Sequence, residues 1–136
     1  AGFLVRPDHP LTQLGRPVTL DELLAYPVAS TPLSDEVARV MIGRYGPQAN
    51  PDDMVTLRCD ETQSIVEVAR RSLAIVLTAE AAAPGLVPLD MSPPLNATAR
   101  FGLVTLAQRQ EAPALRLLRE QLPVWIQGFQ HMASAP

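Results

Sequence analysis

The chain has 136 residues, enough for one domain of ordinary size or for part of a larger one. Hydrophobic residues make up 47%, which excludes disorder as the default state. Its 11 basic and 14 acidic side chains leave a net charge of −3, and this argues against a chain that holds nucleic acid by itself, because phosphate binding needs clustered positive charge. No basic run exceeds Arg70-Arg71. The longest mostly apolar run, Leu73 to Leu89, contains Glu80 and two prolines. It falls short of the roughly 20 clean residues that cross a bilayer, so no membrane span is expected. Cys59 is the single cysteine, so neither an internal disulfide nor a cysteine zinc site can form. No charged leader with a cleavage site opens the chain, and no signal peptide is expected.

In chain order, Gly2-Phe3-Leu4-Val5-Arg6 reads as a strand, stopped by Pro7-Asp8-His9-Pro10, where two prolines fix φ and remove donors. A strand that begins at once suggests a chain cut from something longer. Thr19-Leu20-Asp21-Glu22 has the form of a capping box, and a short helix to about Ala25 follows. Pro27 to Ser30 is a brief buried strand. Ser34 is placed to cap the next helix, with Asp35 and Glu36 beside the positive dipole end and Val37, Val40 and Met41 on its apolar face. Gly46 suits a helix C-terminus, and Asn50 to Asp53 reads as a turn. Met54 to Cys59 alternates as a strand should. Asp60-Glu61-Thr62 opens a helix that ends at Arg70-Arg71.

Leu73 to Leu77 is a continuous apolar run, the pattern of a strand covered on both faces. Thr78 is a candidate cap for a short Ala79–Ala83 turn. Leu86 to Leu89 is a strand whose proline puts it at an edge or a crossing point. Thr98 to Ala107 reads as a longer strand. Pro113 starts a C-terminal helix in which Leu115, Leu118, Leu122, Trp125, Phe129 and Met132 form one apolar stripe. Pro123 is expected to kink or split it. Alternating strands and helices imply an α/β domain with a mainly parallel sheet flanked by helices.

No catalytic constellation is visible, so the expectation is that the chain is not an enzyme. His9 lies in a turn and reads as structural, and His131 lies in the tail. Cys59 ends a strand with no base indicated nearby and reads as a small buried hydrophobe. Asp60 and Glu61 read as dipole partners of a helix start. No cofactor or metal is expected. Two strand-to-helix turns rich in hydroxyls stand out: Ser30-Thr31-Pro32-Leu33-Ser34 and Glu61-Thr62-Gln63-Ser64. In open parallel sheets, ligands bind beyond the carboxyl ends of the strands, where helix N-termini offer free amides to an anion. Capping alone accounts for Ser34 and for one of Thr62 or Ser64. The pattern divides the remaining residues evenly between capping and ligand contact.

The order of segments resembles the effector-binding domain of LysR-type bacterial transcription regulators. The "DHPL" at Asp8–Leu11 looks like the family's "HPLA" turn. Leu20-Asp21-Glu22-Leu23 matches its short "L-x-x-L" helix. Ile65 to Leu77 resembles its helix followed by a "GIALLP" strand, and Leu86–Leu89 matches its "L-V-P-L" return strand. The sequence departs from the family's glycine-bearing turn before the "GIALLP" strand, where it has Arg71-Ser72-Leu73, and it lacks the proline after that strand.

The resemblance implies one lobe of a periplasmic-binding-protein-like (type 2) fold and an incomplete two-lobed domain. Residues 1–95 would form the second lobe with its crossing strands. Residues 96–136 would return toward the first lobe. Ser30, Thr31, Thr62 and Gln63 would then face an effector cleft. The ligand expected there is a small-molecule effector, a small carboxylate or other anion. DNA would be bound only through an N-terminal domain outside this chain. A cytoplasmic, non-membrane protein and a homo-oligomer are expected. The alternative is a periplasmic-type solute-binding or small-ligand-binding module of the same fold.

Overall fold

The computed structural model describes residues 1–96, 104 and 112–133. Its internal contacts divide it into two compact units, Ala1–Ala99 and Arg100–Pro136.

The first unit is built on five strands: β1 (Gly2–Val5), β2 (Val28–Ser30), β3 (Val55–Arg58), β4 (Ile75–Thr78) and β5 (Val87–Pro88). They lie in the order β3-β2-β4-β1-β5. The central strand pairs of β2, with β3 and with β4, are parallel. β1 pairs antiparallel with both β4 and β5, so four strands run one way and β1 alone runs against them. The proline-bearing β5 lies at the sheet edge, where a missing amide costs least.

Alternation along these strands builds two cores, one on each face of the sheet. Phe3, Val5, Val28, Ile75 and Leu77 enter one cluster with Leu20, Leu23, Met41, Tyr45 and Met54 from the helices. Leu4, Ala29 and Val76 point the other way, onto Ile65, Val66 and Ala69. The period-two geometry of a strand makes this division, and it explains why these strands read as unbroken apolar runs.

Local sequence fixes the helices. α1 (Leu20–Leu24) is held by the capping box: the Thr19 hydroxyl accepts from the Glu22 amide, and a Glu22 carboxylate oxygen accepts from the Thr19 amide at 3.0 Å. α2 (Asp35–Tyr45) is capped by Ser34 and ends at Gly46, whose φ of 91° only glycine adopts freely. Residues 50–53, expected as a turn, are a short helix with its cap. In α3 (Pro51–Met54) the Asn50 side chain accepts from the Asp52 amide, and proline takes the first turn, where no amide is missed. Consequently β3 begins at Val55 and not at Met54.

α4 (Thr62–Arg71) ends at Ser72 in extended backbone. The Ser72 hydroxyl donates to the Val68 carbonyl at 2.7 Å and accepts from the Ala74 amide at 3.1 Å. A serine side chain thus turns the backbone where the resembling family uses glycine.

Two expectations change, and a third falls mostly outside the described residues. Thr78 caps nothing: it completes β4 opposite Gly2, and Ala79 precedes a short 3-10 turn, Glu80–Ala82. The second unit's helix, α5 (Pro113–Ala133), runs through Pro123 without division. A proline forfeits one main-chain bond, and the remaining bonds of a 21-residue helix bridge the loss. The strand expected over 98–107 lies outside the described residues, apart from Val104, which is not in a strand.

Candidate functional site

The carboxyl ends of β2, β3 and β4 meet at one edge of the sheet. Ser30 pairs with Arg58 on one side and with Leu77 on the other. The Cys59 amide donates to the Ser30 carbonyl at 3.4 Å. The loops into α2 and α4, and the turn after β4, therefore leave from the same edge. Because β1 runs antiparallel, its first residues are at this edge too, with Gly2 opposite Thr78.

The four residues singled out from the sequence have different surroundings. Ser30 is fully buried, and its hydroxyl donates to the Leu77 carbonyl at 3.2 Å. It ties two strand ends together. Thr31 follows it, half-buried, and lines a pocket of about 300 Å³. Thr62 is the first residue of α4 and is half-buried. Gln63 is exposed, and its side-chain amide donates to the Ala82 carbonyl at 3.3 Å. That bond ties the start of α4 to the turn after β4.

Capping separates the two helix starts. Ser34 caps α2, with its hydroxyl accepting from the Val37 amide at 3.4 Å. At α4 the capping position is Glu61, which makes no side-chain bond to the helix amides. Neither Thr62 nor Ser64 takes that role; the Ser64 hydroxyl donates to the Glu61 carboxylate. The Thr62 and Gln63 amides therefore face the strand-end edge without a side-chain cap, at the positive end of the helix dipole.

Two pockets have walls here, one beside β1 and β5 and the other beside β3 at the far side of the sheet, and neither is lined by Thr62 or Gln63. The first is about 220 Å³ and lies between the start of β1, the end of β5 and Glu80, with Asp90 and Met91 in its wall. The second is the Thr31 pocket, walled by Pro32, Asp35, Pro51, Asp52 and Arg58. Arg58 is absent from the sequence-based candidates. Its position at the end of a predicted strand was the available signal, but the wall that faces it from the Thr31 turn and α2 comes from residues 20 or more positions away. Cys59 is half-buried against the α4-side core, in keeping with a hydrophobic role.

His9 belongs to the opposite end of the sheet. It is fully buried, accepts from the Leu11 amide at Nδ1 (3.2 Å) and donates from Nε2 to the Leu73 carbonyl (3.2 Å). Its ring meets Tyr26 edge-on at 4.6 Å. Burial is the main cause that lowers its pKa, with Arg6 adding to it and the Leu73 bond and Asp8 opposing. Among the described residues, no cluster of three or more His, Cys, Asp or Glu could hold a metal. No helix among them is long and apolar enough to cross a membrane.

A sheet of this topology, with its polar turns gathered at the carboxyl ends of parallel strands, is a ligand-binding α/β lobe. Residues 2–124 match the LysR substrate binding domain, and the chain belongs to that family. It is also similar to the crystal structure of a protein from Vibrio parahaemolyticus described as a transcriptional regulator, with 17% identity over 95% of this chain and a TM-score of 0.49. The chain spans 61% of that structure's length. No curated protein matches it.

Proposed function

We propose that this chain is the effector-sensing part of a LysR-type transcriptional regulator, and that the effector binds at the strand-end edge through Thr31 and Thr62. Ser30 and Gln63 are neighbours that hold the turns in position. The observation that carries this reading is that the Thr31 turn and the uncapped α4 start leave from the carboxyl ends of adjacent parallel strands, with the Thr31 turn lining a pocket. Free amides and neutral hydroxyl donors there suit a small carboxylate or other anion. The effector would shift the closure of two lobes, and so the arrangement of DNA-binding parts outside this chain. In this reading the protein is a cytoplasmic homo-oligomer that senses its ligand without transforming it.

The test uses the intact regulator and a panel of small carboxylates screened by thermal shift. Removing one hydrogen bond to a charged ligand costs about 1.5–3 kcal/mol. Thr62→Ala therefore weakens the selected carboxylate about tenfold or more, as measured by calorimetry. Unchanged affinity in both Thr31→Ala and Thr62→Ala removes these turns from the site.

A further inference from the structure

The Thr31 pocket carries charge of both signs, arranged asymmetrically. Arg58 ends β3 and is fixed by a single terminal nitrogen. That Nη2 donates to the Pro51 carbonyl at 3.1 Å and to the Asp52 carbonyl at 2.9 Å, and lies 3.1 Å from the Asp52 carboxylate. The guanidinium is thereby anchored to the main chain of α3. Its Nε and Nη1 make no bond among the described residues, so three N–H donors of a planar fork remain unspent.

Across the pocket, Asp35 stands in the first turn of α2. Its main-chain carbonyl accepts from Arg39, but its carboxylate has no partner among the described residues. Thr31, in the same wall, also keeps its hydroxyl unbonded among the described residues. Pro32, Leu33, Ala38, Pro51 and Val55 supply the apolar remainder.

We propose that this pocket reads a zwitterion: Arg58 takes a carboxylate, Asp35 takes an ammonium beside it, and Thr31 bonds to either. The effector class is then α-amino acids and close analogues. The proposal rests on the effector-edge reading above and narrows it. A ligand with negative charge alone would meet Asp35 and Asp52 as well as Arg58, which disfavours phosphates and dicarboxylates. A ligand with positive charge alone would meet the spare donors of Arg58. Only a group with both signs satisfies both walls. A pocket of about 300 Å³ holds a small headgroup.

The intact regulator is titrated with the standard L-α-amino acids by thermal shift and then by calorimetry. Each binder is compared with its deaminated acid and its decarboxylated amine. The proposal expects an amino acid to bind, and both truncated analogues to bind about tenfold more weakly or worse. It further expects Asp35→Asn to bring the amino acid down to the level of its acid, and Arg58→Gln to bring it down to the level of its amine. Asp35→Asn gives up only a first-turn dipole interaction and breaks no side-chain bond among the described residues, so it reports on binding with the fold intact, checked by circular dichroism.

An acid that binds as tightly as its amino acid overturns the proposal, and so does a panel with no binder. Unchanged amino-acid affinity in Asp35→Asn does so as well. If a simple carboxylate binds and is weakened by Thr62→Ala but not by Arg58→Gln, the effector edge stands and the zwitterion reading falls.

Discussion

At the scale of the residue, His9 shows how one buried group can set a pH dependence. Nδ1 accepts the Leu11 amide, so the neutral ring carries its proton on Nε2, facing the Leu73 carbonyl. A second proton would put an N–H against the Leu11 N–H and a charge in a dry site. The pKa in the fold is below the ordinary 6.5, chiefly through burial. Between that lowered value and 6.5 the unfolded chain binds more protons than the folded one, so stability rises with pH. The contribution is complete above about 6.5 and is lost as pH falls below it. Glu22 does not interfere: its carboxylate is held at about 2 by the Arg16 bond first and by Thr19, so its loss comes only at more acidic pH. Urea midpoints should therefore fall between neutral pH and about pH 5 for the wild type and stay flatter for His9→Gln. Parallel profiles would assign the pH dependence to other groups.

At the scale of the element, β3 shows what a linear reading can and cannot find. The β2–β3 register shifts between Val28 and Ala29, and Thr56 fills the break. Its hydroxyl accepts from the Val28 amide at 3.1 Å and donates to the Val28 carbonyl at 3.2 Å. Thr56→Val keeps the shape and removes both bonds, and should cost about 1–3 kcal/mol in denaturant unfolding, because the Val28 amide and carbonyl lose their hydroxyl partner beside a buried strand. A loss under about 0.5 kcal/mol would mean that the ladder closes without the hydroxyl.

The existence of β3 was legible from its alternation, as were the capping box at Thr19, the Ser34 cap and the Gly46 stop. Each of these depends on neighbours within four residues. The bridge at Thr56 was not legible, because its partner is 28 positions away. The same distinction runs through the site. The turns that hold Thr31 and Thr62 are local and readable in sequence, whereas the pocket that Arg58 and Asp35 both line appears only when β3 is laid beside β2. At Pro123 the alternatives are a kink or a split, and the helix is not split, because one missing bond is set against the remaining bonds of a 21-residue helix.

At the scale of the whole molecule, the second unit poses a packing problem of its own. Its described part is almost entirely α5, and a single helix cannot cover its own apolar stripe. Leu115, Leu118, Leu122 and Trp125 follow one another at spacings of 3, 4 and 3, on one side of that helix. Each leucine contributes about 1.5–3 kcal/mol on full burial, and even with the discount for a compact unfolded chain the stripe favours a partner surface. We therefore expect the isolated chain to self-associate through α5. Size exclusion with light scattering at tens of micromolar should give a mass above 14.7 kDa, and Leu118→Glu together with Leu122→Glu should return it to the monomer. Fluorescence of the lone Trp125 separates this from folding back onto the chain's own sheet. A monomer whose Trp125 emission is already that of a buried indole would mean that the stripe is covered within one copy and that α5 is not an assembly surface.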